Sequence, residues 1–154
     1  MKRNLRLALS STLLLVLSVV FTYADNDDLT KKDLKQFEGT WQVASLEVNG
    51  NKTEPNDLKK IFVINEADGV MSVESEGKIV IRAKLTIYPT QKPKTVDMTG
   101  TDGDSNGKTM LGIYEFEGET RKVCYAETGK ERPTDFSAPE GSGRYSIVLK
   151  RVKK

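Results

Sequence analysis

Residues 78–88 read Lys-Ile-Val-Ile-Arg-Ala-Lys-Leu-Thr-Ile-Tyr, and their alternation decides the fold class. Ile79, Ile81, Ala83, Leu85 and Ile87 fall on one face of an extended chain, and Arg82, Lys84 and Thr86 on the other. Strand side chains point to opposite faces in turn, so this period of two predicts a strand with one dry and one wet face. Pro89 ends the run.

Short apolar or alternating runs separated by turn residues continue on both sides. Upstream, 40–48 is rich in β-branched and apolar residues and closes at Asn49-Gly50, a hairpin-type turn pair. Residues 61–65 and 70–74 follow as short strands. Downstream come 95–99, a polar loop at 100–108, a hairpin of 109–117 and 119–127 around Gly118, and a last strand at 144–152. That strand carries Tyr145, Ile147 and Leu149 on one face. Pro133, Pro139, Gly141 and Gly143 make 130–143 a loop. Two short helices are expected. One starts at Thr30-Lys31-Lys32-Asp33, with Thr30 as its cap, Leu29 and Leu34 as a hydrophobic staple and Gly39 as its stop. The other spans 54–60, with Thr53 as cap and Pro55 in the first turn. About eight strands with no long crossover helix predict an antiparallel sheet. Such a sheet removes its exposed edges by closing into an up-and-down β-barrel.

The chain has 154 residues, which suits one domain. Residues 1–24 read as a cleavable signal peptide. Lys2, Arg3 and Arg6 form a basic start, 13–21 is apolar apart from Ser18, and Thr22-Tyr23-Ala24 offers small residues to the peptidase. The apolar run is shorter than the roughly 20 residues of a spanning helix. Export to the periplasm or beyond is therefore expected, with residues 25–36 as an N-terminal segment bearing the short helix and 37–154 as the barrel. No membrane span is expected once the signal is removed.

Loss of that segment takes Lys2, Arg3 and Arg6 from the 24 basic residues, leaving 21 against 22 acidic ones. The mature net charge of −1 removes any bulk-charge argument for nucleic acid. The Lys150–Lys154 cluster remains as a short basic tail. The chain has no histidine and one cysteine, Cys124. Histidine-dependent catalysis, most zinc sites and an internal disulfide are excluded by composition. No cofactor and no enzymatic constellation is expected.

Gly39-Thr40-Trp41 follows the first short helix and opens the first strand. This placement is similar to the Gly-x-Trp pattern of the lipocalins, whose Trp plugs the closed end beneath a basic residue from the last strand. Arg151 is the expected stacking partner, ahead of Lys150 and Arg144. A wider resemblance runs from Phe37 to Lys150. It rests on Phe37-Glu38-Gly39-Thr40-Trp41, Ser45-Leu46-Glu47-Val48-Asn49-Gly50, Leu111-Gly112-Ile113-Tyr114-Glu115 with Gly118, Cys124, Arg132-Pro133-Thr134-Asp135-Phe136 and Gly141-Ser142-Gly143. These blocks resemble a family of uncharacterised small lipocalin-like domains expanded in planctomycete bacteria. The resemblance implies the barrel and export, and it names no biochemical role. Arg121 departs from it, since that position tends to be apolar in the family.

Asp102, Asp104 and Asn106 match the first half of a calcium loop, but Ile113 stands where the closing carboxylate belongs, so a polar turn is the expected reading and no metal site is assigned. Cys124, flanked by Val123 and Tyr125, reads as a buried small hydrophobe. Tyr114, Glu115 and Arg132 have two readings. Glu115 and Arg132 form an ion pair locking the 130–143 loop, or these residues contact a ligand at the barrel mouth. The leading expectation is an exported lipocalin-like domain binding a small, partly apolar ligand at the open end of the barrel. The alternative is a solid-core module contacting another envelope or secreted protein. A barrel of eight strands is just wide enough for either filling.

Overall fold

The computed structural model describes residues 26–153, so the expected signal peptide lies outside the described residues. Helix α1 occupies 26–37. It is followed by β1 (Gly39–Val48), β2 (Asn51–Lys52), α2 (Pro55–Leu58), β3 (Ile61–Asn65), β4 (Val70–Ser75), β5 (Lys78–Tyr88), β6 (Thr95–Gly100), β7 (Thr109–Glu117), β8 (Thr120–Ala126) and β9 (Arg144–Arg151). From β3 onward each strand pairs antiparallel with the next, and β1 pairs with both β3 and β9. The eight strands therefore close into the expected up-and-down barrel. The two-residue β2 is an extra, folded back on the end of β1 by Asn49 and Gly50. Both turn residues have positive φ, 49° and 86°, as a tight turn matched to strand twist requires.

The strand directions give the barrel two unlike ends. At one end lie α1, the β3–β4, β5–β6 and β7–β8 turns and the close of β9. At the other lie the β1–β3, β4–β5, β6–β7 and β8–β9 connections. α1 caps the first end because Asp33 and Phe37, four residues apart and so on one helix face, are both buried.

Three local expectations are corrected. In β5, Ile79 pairs with Glu74 and Ile81 with Val73, so Val80 is a bulged residue. Paired residues share a face, and Val73 and Glu74 face opposite ways. Ile79 is therefore turned outward (46% exposed), while Ile81 stays with the inward set of Ala83, Leu85 and Ile87. Thr30 is not a cap. The chain is already helical at residue 26, and the Thr30 hydroxyl donates back to the Asn26 carbonyl at 2.9 Å. Leu29 is exposed, and Leu34 packs on the core. The second helix is one turn, preceded by Glu54 rather than Thr53, with Pro55 opening it.

The loop between β8 and β9 lies over the outside of the barrel. Cys124 faces away from the lumen, yet it is fully buried, with Sγ 3.6 Å from the Ser137 carbonyl. Ser146 Oγ donates to the Phe136 carbonyl at 2.6 Å, and the Glu127 amide to the Gly143 carbonyl at 2.9 Å.

Candidate ligand cavity

The closed end is built around Trp41, the one tryptophan of the chain and fully buried. Register places it beside Val63 on β3 and Arg151 on β9. Its indole nitrogen donates to the Phe37 carbonyl at 2.7 Å. The Arg151 guanidinium lies 4.2 Å from the ring centroid. The same group donates to the carbonyls of Gln36 (2.6 Å) and Glu38 (2.7 Å), and its Nε is 3.2 Å from Glu119. One cation therefore satisfies carbonyls at the end of α1 and clamps that helix over the indole. Gly39 is needed for this clamp. Its φ is +109°, and a Cβ there would sit 3.1 Å from Arg151 Nη1.

Above this floor is a cavity of about 260 Å³. Its walls include Val63, Leu85, Val123 and Leu149 lower down, and Ile81 and Tyr145 toward the mouth. The chain has four methionines, and Met71, Met98 and Met110, the three within the described residues, all line it. Methionine is unbranched and polarizable, so this wall re-packs around different shapes more readily than a wall of β-branched residues. The cavity is just below the roughly 300 Å³ at which sites for drug-sized ligands begin.

Arg121 is the one charged residue among those lining the cavity, and it is only 2% exposed. It is the second residue of β8, paired with Phe116 and Leu149, and so lies near the closed end. Strand alternation sends Arg121, Val123 and Tyr125 into the lumen together. Nη1 donates to Asn65 Oδ1 at 2.8 Å. The guanidinium carbon is 4.5 Å from the Trp41 ring centroid and 4.7 Å from that of Phe37. Among the described residues, no carboxylate pairs with it. Its Nε and the Asn65 Nδ2 are both buried without a hydrogen-bond partner. Burial pulls its pKa down to about 9, with Tyr125 opposing this shift and Arg151 adding to it, so Arg121 is still a cation at neutral pH.

The magnitudes show that this cation is under-compensated. Burying one charge costs several kcal/mol even after relaxation. Each ring contact returns about 0.5–2 kcal/mol, and a hydrogen bond from a charged group about 1.5–3 kcal/mol. The two rings and Asn65 thus offset much of the penalty and leave the charge itself unbalanced.

The other residues singled out in sequence lie outside the cavity. The Tyr114 hydroxyl donates to buried Asp33 at 2.7 Å, and Lys94 Nζ is 2.7 Å from the same carboxylate oxygen. Burial, and then Asp33, raise the Tyr114 pKa well above its ordinary value, so it remains a donor that pins α1. Glu115 does not pair with Arg132; it pairs with Lys122 at 3.0 Å on the outer face. Arg132 reaches Asp97 at 2.6 Å and the carbonyls of Gly112 (2.7 Å) and Val96 (3.2 Å), which fastens the β8–β9 loop across β6 and β7. Glu115 is not the partner because it lies three residues beyond Gly112 along β7, directly across from Lys122 of β8. Asp102, just before the one-turn 3-10 segment Gly103–Ser105, pairs with Arg82 at 3.1 Å, while Asp104 and Asn106 are exposed. Burial pushes the Cys124 thiol up to about 11. Sequence alternation alone places Arg121, Val123 and Tyr125 on one strand face, which was the available sign that a charge enters the lumen.

The chain matches no family model, no curated protein and no solved structure with which it was compared.

Proposed function

We propose that this protein is an exported binding domain that takes one small, largely apolar ligand into the barrel from its open end. The observation that carries this reading is the cavity of about 260 Å³, with apolar and methionine-rich walls above a sealed floor. A barrel evolved only as a solid scaffold gains stability by filling such a space, since voids forfeit packing contacts. Export rests on the signal-like segment at residues 1–24. A role in binding rather than catalysis rests on the lack of histidine and on a lumen whose only charged lining residue is an arginine.

Titration of the purified protein with a neutral dye that brightens in apolar surroundings tests the reading. Saturable brightening at one site per chain is expected, and Met98→Trp, which fills part of the lumen, should abolish it. Emission that stays at the level of free dye across the titration would instead favour the solid-core interaction module.

A further inference from the structure

Resting on that reading, we propose that the ligand is an aliphatic monocarboxylic acid of medium chain length, held with its carboxylate on Arg121 and its chain along the cavity toward the open end. Two features of the floor select this head group. Arg121 brings one positive charge that no described carboxylate balances. The Arg121–Asn65 pair, joined at 2.8 Å, has two unmet needs, at Arg121 Nε and Asn65 Nδ2, and both are donors. A carboxylate is acceptor-only and singly charged, and its two oxygens match the fork of a guanidinium. An alcohol or amine would bring a donor of its own to a floor already short of acceptors. A phosphate would bring more negative charge and more oxygens than these groups can serve.

The walls select the rest of the molecule. From Arg121 to the mouth they are methionine, aliphatic and aromatic side chains, with no second charge, so the tail is uncharged hydrocarbon. Its size follows from volume. An apolar cavity of about 150 Å³ accommodates benzene, so by proportion 260 Å³ accommodates roughly ten carbons. The three lumenal methionines let the wall follow a flexible chain.

The test is displacement of the neutral dye by decanoate and by decan-1-ol, which differ only in the head group. The protein is first passed over a hydrophobic resin to strip bound lipid. Decanoate should displace the dye from the wild type at a concentration at least about tenfold lower than decan-1-ol does. In Arg121→Met that advantage should vanish. Arg121→Gln provides the same reading should the methionine variant fold poorly, and the wild-type comparison needs no variant. Equal displacement by acid and alcohol would overturn the carboxylate assignment and leave the cavity reading standing. An advantage for decanoate that survives loss of the arginine would also overturn it. Failure of the dye itself to bind would overturn the binding function and this assignment together.

Discussion

Replacing Arg121 with methionine keeps a long, unbranched side chain in the lumen and deletes its charge. Burial pulls the guanidinium pKa down from its ordinary 12.5 to about 9, and burying one such charge costs several kcal/mol even after relaxation. The variant escapes that penalty. It loses contacts with the Trp41 and Phe37 rings, about 0.5–2 kcal/mol each, and it strands Asn65 Oδ1, at about 1–3 kcal/mol. These terms nearly cancel, so Arg121→Met should lie within about 2 kcal/mol of the wild type, whereas truncating a large buried side chain ordinarily costs about 2–5 kcal/mol. Adding Asn65→Leu removes the stranded amide as well and should recover about 1–2 kcal/mol more. Urea unfolding followed by the emission of Trp41, the sole tryptophan, measures all three proteins. An Arg121→Met loss beyond about 3 kcal/mol, with an unchanged urea slope, would show that the charge is well compensated in the free protein and would refute the reasoning. A lumenal charge that contributes little or nothing to stability is what a binding group looks like when it is retained for its ligand.

Cys124 should react slowly. Burial raises its pKa to about 11 from an ordinary 9.0, so at pH 8 its thiolate fraction is roughly a hundredfold below that of a free thiol. A disulfide reagent should therefore modify native protein at least about a hundredfold more slowly than urea-unfolded protein, and similar rates would contradict this. The thiol's folded pKa is raised, so its contribution to stability is present below about pH 9 and declines as pH rises toward 11. Asp97→Ala should free Arg132 and loosen the β8–β9 loop, speeding trypsin cleavage at exposed Lys130 by about tenfold or more, as loss of a charged partner worth about 1–3 kcal/mol would do. Glu115→Ala should leave that cleavage rate unchanged because Glu115 pairs with Lys122; the reverse pattern would restore the Glu115–Arg132 assignment.

The parts of the barrel written in local pattern were legible from the sequence. Period-two alternation located β5, Asn49-Gly50 located the first turn, and Gly39-Thr40-Trp41 marked the entry to β1. Arg151 was legible for a topological reason: an antiparallel barrel of eight strands returns the end of its last strand beside the start of its first. Its observed position, 4.2 Å from the indole, follows from that geometry. Features that depend on long-range register were not legible. The bulge at Val80 leaves no mark in an apolar run, so Ile79 was assigned to the wrong face. The Arg132–Asp97 pair spans 35 residues and depends on which strand passes beneath the loop, and sequence proximity pointed to Glu115 instead. Asp33 entered the sequence reading only as part of the expected helix start, yet it is buried and anchors α1 through Tyr114 and Lys94. Arg121 was legible only as a charge alternating with Val123 and Tyr125 on one strand face. Its meaning comes from the three-dimensional inventory around it: two aromatic faces, one amide and no acid.

The most direct test of the central claim is a crystal structure of the protein grown with decanoate. A carboxylate oxygen is expected about 2.7–3.2 Å from Arg121 Nε, with the hydrocarbon chain running between Met71, Met98 and Met110 toward Tyr145. A lumen closed by inward collapse of those methionines, or decanoate bound only to the outer surface, would contradict it.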